Sequence, residues 1–407
     1  MPDGNRPDAP GFVVDDARIQ FRTQHFPECS EEQWNDWRWQ MRNRLRSSAD
    51  FARVLTLSED EEKALSQRER FSSAITPYYA SLLPADLADD PLRRTVVPNL
   101  AEFAVSHGDC QDPLAEDSHS PVPGIIHRYP DRVLFLVTDH CPVYCRYCTR
   151  SRLVGGNADF DLTRRQWQRG IDYIAATPSI HDVLISGGDP LIMGDDRLDW
   201  LLSRLSGISH LDYIRIGSKV PVVLPTRVTP SLCRMLKKHH PLFMSIHITH
   251  PRELTSEAGE ACMRLADAGL PLGSQTVLLK GVNDDAQTLR DLMRGLLRIR
   301  VRPYYLLQCD PITGSGHFRT SLEHGKSLIR ELRGHLSGYA IPHYIVDLPG
   351  GGGKIPLVPE YITGHDGKDW IATNFQGIPG FRYPDPDAIT DRPKGSPICK
   401  ESPAEAG

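Results

Sequence analysis

The sequence predicts an α/β fold: a partial, open β/α barrel with an N-terminal helical extension and a short C-terminal tail. From Val133 onward short apolar runs alternate with helical patterns, the rhythm of parallel strands joined by crossover helices. No glycine fingerprint opens the first of those helices, which favours a barrel over a doubly wound sheet. The unusual polar residues fall at the C-terminal ends of the expected strands, where a β/α barrel builds its site from loops.

Taken in order, residues 1 to about 25 are polar and proline-bearing and read as a loosely attached arm. From Glu31 to about Arg70 the pattern is helical, with Trp34 and Trp37 three apart, Trp39 following and charges between them. Leu83 to Tyr129 carries repeated prolines and acids, including SPVPG at Ser120 to Gly124, and reads as short helices and loops. Strands are expected over Val133–Thr138, Asp182–Ser186, Tyr213–Ile216, Leu242–Ile248, Leu272–Leu279, Pro303–Gln308 and His343–Asp347. Helices are expected over Thr163–Ala176, Leu198–Leu205, Ser231–His239, Ser256–Ala268, Ala286–Ile299 and Leu322–Leu336. The expected division is an arm and helical region over 1–125, a barrel over 126–348, and a lysine loop with C-terminal segment over 349–407.

With 407 residues the chain can bury a full core without metal or disulfides. A net charge of -5 leaves no broad basic face, which excludes nucleic acid as the expected partner. The N-terminus has no basic start or apolar stretch, and no apolar run reaches the length of a membrane span, so a cytoplasmic protein is expected. Nine cysteines, an odd number, point to thiol chemistry or metal binding rather than a disulfide framework. Cys29, Cys110, Cys233, Cys262, Cys309 and Cys399 are scattered bystanders; the other three cluster.

That cluster is TDHCPVYCRYCTR, a C-x-x-x-C-x-x-C loop carrying Cys141, Cys145 and Cys148. A 4Fe-4S centre normally takes four thiolates, so three leave one iron open, able to chelate a ligand's amino and carboxylate groups. A zinc site completed by His140 is the competing reading, but zinc spacings usually pair two C-x-x-C units, and no second unit exists here. Ser186, Gly187, Gly188 and Asp189 follow the second strand as SGGDP, where two glycines let backbone approach a ligand such as the methionine part of S-adenosylmethionine (AdoMet); a plain turn is the bland alternative. Gln275 stands in the small and apolar strand LGSQTVLL, suited equally to a ligand contact and to a structural hydrogen bond.

Pro349 to Lys354, PGGGGK, lacks the Ser or Thr of a phosphate-binding loop, since Ile355 follows the lysine. Lys354 in a sheltered cavity suits covalent attachment of pyridoxal phosphate; an exposed flexible loop is the alternative. Arg128 and Arg132 in HRYPDR, just ahead of the first expected strand, could neutralise a cofactor phosphate, though on these residues alone solvated surface arginines are the preferred reading. Arg150, two residues past the last clustered cysteine, stays near the cavity, where its guanidinium can grip a carboxylate. Asp310 and Asp347 end two strands and would put two carboxylates in one pocket, needing either a substrate cation or separate protein arginines.

Together these segments resemble the pyridoxal-phosphate-dependent radical AdoMet 2,3-aminomutases, the lysine 2,3-aminomutases most closely. The likeness runs from about Phe21 to about Gln376 and includes WNDWRWQ from Trp34, ITPYY from Ile75, SPVPG, HRYPDR, the cysteine loop, SGGDP, QCD ending at Asp310, HFRT from His317, LRGH from Leu332 and PGGGGK. The resemblance implies a radical AdoMet barrel holding a 4Fe-4S cluster, AdoMet and pyridoxal phosphate. It makes Lys354 the pyridoxal phosphate lysine, gives Arg150 the substrate's α-carboxylate, and gives Asp310 with Asp347 the distal ammonium of lysine. It also implies a flavodoxin- or ferredoxin-type electron donor and a homo-oligomer. Such enzymes generate a 5'-deoxyadenosyl radical, because moving an amino group between adjacent carbons needs a radical and a π system. Two departures stand out. The tail holds only Cys399 and Asp285 occupies a position where longer relatives have a cysteine, so no structural zinc is expected. Leu307 precedes QCD where an aromatic is expected, which keeps arginine open as an alternative substrate.

Overall fold

A computed structural model describes residues 16–67, 72–155 and 163–385. The chain divides into two compact units, residues 1–357 and 358–407. Cys399 and the first fifteen residues of the expected arm lie outside the described residues.

The first unit opens with short helices rather than an arm and one long helical run: α1 (Asp16–His25), α2 (Glu31–Asn35), α3 (Trp37–Arg42), α4 (Ser48–Ala52), α5 (Glu59–Ser66), α6 (Pro77–Ala80) and α7 (Pro91–Arg94). The expectation of a loose arm to residue 25 is therefore corrected for its last ten residues, which form α1 and pair Arg18 with Glu257. Cap residues explain the fragmentation. Ser30, Ser47 and Ser58 each accept an N3 backbone N–H in a capping box, and Asp36 caps the helix that carries Trp37. Each cap starts a new helix axis, so the tryptophan spacing belongs to two helices and not one.

The barrel follows: β1 (Ile125–Tyr129), β2 (Arg132–Thr138), α8 (Arg164–Ala175), β3 (Asp182–Gly187), α9 (Asp195–Ser206), β4 (Tyr213–Ser218), α10 (Val220–Val223), α11 (Pro230–Leu236), β5 (Leu242–His247), α12 (Ser256–Asp267), β6 (Leu272–Leu278), α13 (Ala286–Arg298), β7 (Arg302–Gln308), α14 (Leu322–Leu332), β8 (His343–Leu348) and β9 (Gly353–Pro356). One sheet runs in the order β1 to β9. The strands from β2 to β8 pair in parallel, while β1 and β9 pair antiparallel at the two edges. Because β1 and β9 do not pair with each other, the barrel is open at one seam. Both edge strands were invisible to the alternation argument, which finds only crossover-linked parallel strands. Arg128 thus lies within a strand, and Arg132 opens the next one.

Five of the barrel helices begin where the sequence supplies a side-chain cap: Thr163, Thr229, Thr255, Asp285 and Ser321 accept N3 amides of α8, α11, α12, α13 and α14. Asp285 therefore has a local role of its own. Along α13, Leu289, Leu292, Met293 and Leu296 are buried on one face, each worth about 1.5–3 kcal/mol against the sheet. In β6 the alternation of burial turns Gly273, Gln275 and Val277 to the lumen and buries Ser274 and Thr276 under the helices. The second unit contains β10 (Ile362–His365), β11 (Asp369–Ala372) and β12 (Phe381–Pro384), a small antiparallel sheet.

Candidate active site

The loops after β2 and β3 form one body. The amide of Asp189 donates to the His140 carbonyl at 2.8 Å, and Gly188 donates to that of Thr138. A Cβ at Gly187, whose φ is +118°, would lie 2.3 Å from the Thr138 oxygen, and one at Gly188 would lie 2.2 Å from that of His140. These glycines are required by the cysteine loop itself, before any ligand approaches. Asp189 is committed too. Its two oxygens accept from Ser218 Oγ at 2.7 Å and from the amides of Leu191, Lys219 and Val220 at 3.2, 2.7 and 3.0 Å. With its amide on His140, it ties the loops after β2, β3 and β4 together.

The N-terminal extension fixes the cysteine loop from the other side. Buried Arg44 donates to the Cys141 carbonyl, the Tyr144 amide to Ala74, and Arg146 to the Glu102 carboxylate at 2.6 to 3.1 Å. Burial raises all three clustered thiols, and Cys148 is pushed up to about 11, with Cys145 adding to it. Thiolates crowded in this way need a cationic centre among them, which fits an iron cluster. Among the described residues no group of three His, Cys, Asp or Glu side chains converges closely enough for a single metal ion. His140, the fourth ligand that a zinc reading needs, turns instead to Asp139. A cluster, in which each thiolate takes its own iron, is the arrangement that spaced thiols suit.

Inside the barrel is a cavity of about 760 Å³, lined near the strand C-termini by Arg128, Arg150, Gln275, Asp347 and Lys354, and near the N-termini by Asp182, Arg215 and Arg302. Arg132 also lines it. Lys354 reaches Asp347 across the β8–β9 pair, in which the two residues are direct partners. Asp347 also accepts from Arg128 at 2.9 Å. Tyr129 braces this group: its ring lies 4.0 Å from the Arg132 guanidinium carbon and 4.9 Å from that of Arg128, while its hydroxyl accepts the Lys354 amide at 2.9 Å. Arg132 also pairs with Asp131 at 3.2 Å. So Arg128 is engaged with a carboxylate, a pairing the sequence did not reveal.

Asp310 accepts from Thr149 Oγ1 at 2.8 Å. Burial pushes its carboxyl up to about 6, with Asp347 raising it further and Lys354 and Arg150 opposing, which sets all four groups in one electrostatic neighbourhood. Arg150 is held by Glu116 at 2.7 and 3.2 Å. Ser186 faces the lumen, since a Cβ at Gly217 would lie 3.7 Å from its hydroxyl and 3.8 Å from His247 Nε2. Burial, Lys219 and Arg150 push His247 down to about 4, leaving a neutral imidazole at neutral pH. Sequence reasoning missed Glu116, Tyr129 and His247; of these only His247, closing β5, sat where a strand-end rule would have found it.

The radical SAM superfamily matches residues 135–293, and the family described as lysine-2,3-aminomutase matches residues 329–401. The L-lysine 2,3-aminomutase of Fusobacterium nucleatum is 47% identical over 376 residues, covering 92% of this chain and 88% of that protein. The chain belongs to the lysine 2,3-aminomutase family. The enzyme of that name from Clostridium subterminale is 46% identical over 361 residues, 88% of this chain and 86% of that one. Glutamate 2,3-aminomutase of Clostridioides difficile is 42% identical over 343 residues, 84% of this chain and 81% of that one. As a member of a radical SAM family the protein is an isomerase that uses a 4Fe-4S cluster and AdoMet on a small-molecule substrate. Among the described residues no helix is long and apolar enough to cross a membrane.

Proposed function

We propose that the enzyme moves the α-amino group of L-lysine to its β-carbon, with Cys141, Cys145 and Cys148 holding the cluster and Lys354 holding pyridoxal phosphate. The observation that carries the substrate is that Arg150 and Asp347 line the cavity while Asp310 feels the charges of both. An amino acid with a cationic tail matches that charge pattern at both ends; a glutamate side chain would meet two like charges. The similarity of the lysine-acting relatives supports the same substrate.

When bound, the cluster with AdoMet supplies a carbon radical and pyridoxal phosphate supplies the π system across which nitrogen moves. The chain's residues bind, orient and shelter. Arg150 grips the α-carboxylate, Asp310 and Asp347 fix the distal ammonium, and the substrate's reacting carbons are thereby held at one depth in the lumen. Arg128 and Arg132, packed on Tyr129 beside Lys354, supply positive charge for the cofactor phosphate, so the residues present fit that cofactor. Gln275 and Ser186 line the lumen wall toward the cysteine loop and offer hydrogen bonds to AdoMet. The same reading includes an electron donor of the flavodoxin or ferredoxin type, a homo-oligomer, and a reducing cytoplasmic setting suited to thiolate-held iron.

Anaerobic incubation with AdoMet, a reductant, pyridoxal phosphate and either L-lysine or L-arginine tests the proposal by product analysis. β-Lysine is expected. β-Arginine alone would assign the longer cation, and no β-amino acid from either would reject both readings.

A further inference from the structure

Glu116 lies outside every motif, yet it is placed with care. The connector ahead of β1 is gripped on two sides. Asp112 accepts the amides of Glu116 and Asp117, each at 3.0 Å, and Arg152 pairs with Asp117 at 2.9 Å and Asp112 at 3.4 Å. Opposite, the Gly350 amide donates to the Pro113 carbonyl at 2.8 Å, and a Cβ at Gly351 would lie 2.6 Å from the His119 ring. The segment is thus wedged between the end of the cysteine loop and the glycine loop that leads to Lys354. Ala115, immediately before Glu116, sits at φ +53°, a left-handed conformation that costs a non-glycine residue energy and that the surrounding bonds impose.

The result is a Glu116 side chain only 8% exposed that lines the cavity and meets Arg150. The contact uses one edge of the guanidinium: Nε donates to Oε2 at 3.2 Å and Nη2 to Oε1 at 2.7 Å. A guanidinium offers five N–H donors in a rigid planar fork, so this grip leaves the Nη1 edge for a second carboxylate.

We propose that Glu116 is a positioning residue for substrate recognition: it clamps the Nε edge of Arg150 and turns the Nη1 edge to the α-carboxylate of the amino acid. This rests on the reading that Arg150 binds that carboxylate. The residue selects amino acids over amines of the same cationic chain, because an amine has nothing to offer the presented edge.

The test uses the reconstituted holoenzyme with Glu116→Ala and Glu116→Gln. Glu116→Ala should raise KM for L-lysine about ten-fold or more with kcat nearly unchanged, the loss of one charge-assisted orienting pair. Glu116→Gln, which keeps the shape and one acceptor, should recover part of that loss. Competitive inhibition by cadaverine, which has no carboxylate, should change little, so the preference for lysine over cadaverine falls in step with KM. Iron, sulfide and pyridoxal phosphate contents should match the parent enzyme, which separates positioning from collapse of the loop. An unchanged lysine-to-cadaverine preference in a folded Glu116→Gln or Glu116→Ala enzyme would overturn the proposal, as would a fall in kcat alone. Arg150→Gln serves as the reference: if it too leaves KM for lysine unchanged, the reading of Arg150 itself has failed, and Glu116 with it.

Discussion

The cysteine loop and the Lys354 hairpin stand at opposite ends of the barrel sheet, and they are built on different principles. The loop after β2 carries its chemistry in a run of eight residues, Cys141 to Cys148, and the rest of the fold holds it still through Arg44, Glu102 and the two glycines of SGGDP. The hairpin carries one reactive group, Lys354, whose environment is assembled from distant segments: Asp347 across the β8–β9 pair, and Arg128 and Tyr129 from the first strand of the sheet. A locally spaced site needs support; a site made by pairing needs the whole barrel.

The largest effects should separate the two regions. Cys145→Ala should abolish turnover by about a thousand-fold or more and lose iron and sulfide, while Lys354→Ala should lose as much activity yet keep the iron and lose only the visible band of bound pyridoxal phosphate. Iron analysis and a visible spectrum of both variants check this, and a Lys354→Ala protein short of iron would show that the regions are not independent. Next in size is the support of the loop. Gly187→Ala places a Cβ against backbone at a positive φ, and should cost about 2–4 kcal/mol, read as a lower Tm, with cluster content falling alongside. Normal stability would mean that the two loops can part without cost.

The smallest effect concerns the carboxylates between the regions. Asp310, held up to about 6 by burial, is protonated in mild acid, so its hold on a substrate cation weakens there. KM for lysine should fall about ten-fold as pH rises from about 5 to about 7, and Asp310→Asn should flatten that dependence. The sign for stability is opposite. The fold binds this proton more tightly than the unfolded chain, so the Asp310 contribution to stability declines as pH rises from about 4 to about 6. Chemical denaturation of parent and Asp310→Asn across that range measures it.

The same contrast explains what the sequence disclosed. The seven parallel strands and the crossover helices were legible because each has its own local period, and most of the helices a cap, and the cysteine loop was legible because its spacing is its chemistry. Glu116 facing Arg150 and Arg128 facing Asp347 were not, because a pairing across 34 or 219 positions leaves no mark in local periodicity. The structural work of Asp189 was hidden for the same reason: the four donors that occupy it come from β3's own loop and the end of β4.

Electron paramagnetic resonance of the reconstituted, reduced protein with and without AdoMet probes the iron that three cysteines leave free. A 4Fe-4S signal that shifts when AdoMet is added is the predicted result. A signal indifferent to AdoMet, or a protein that takes up zinc at Cys141, Cys145 and Cys148 in place of iron, would contradict the account.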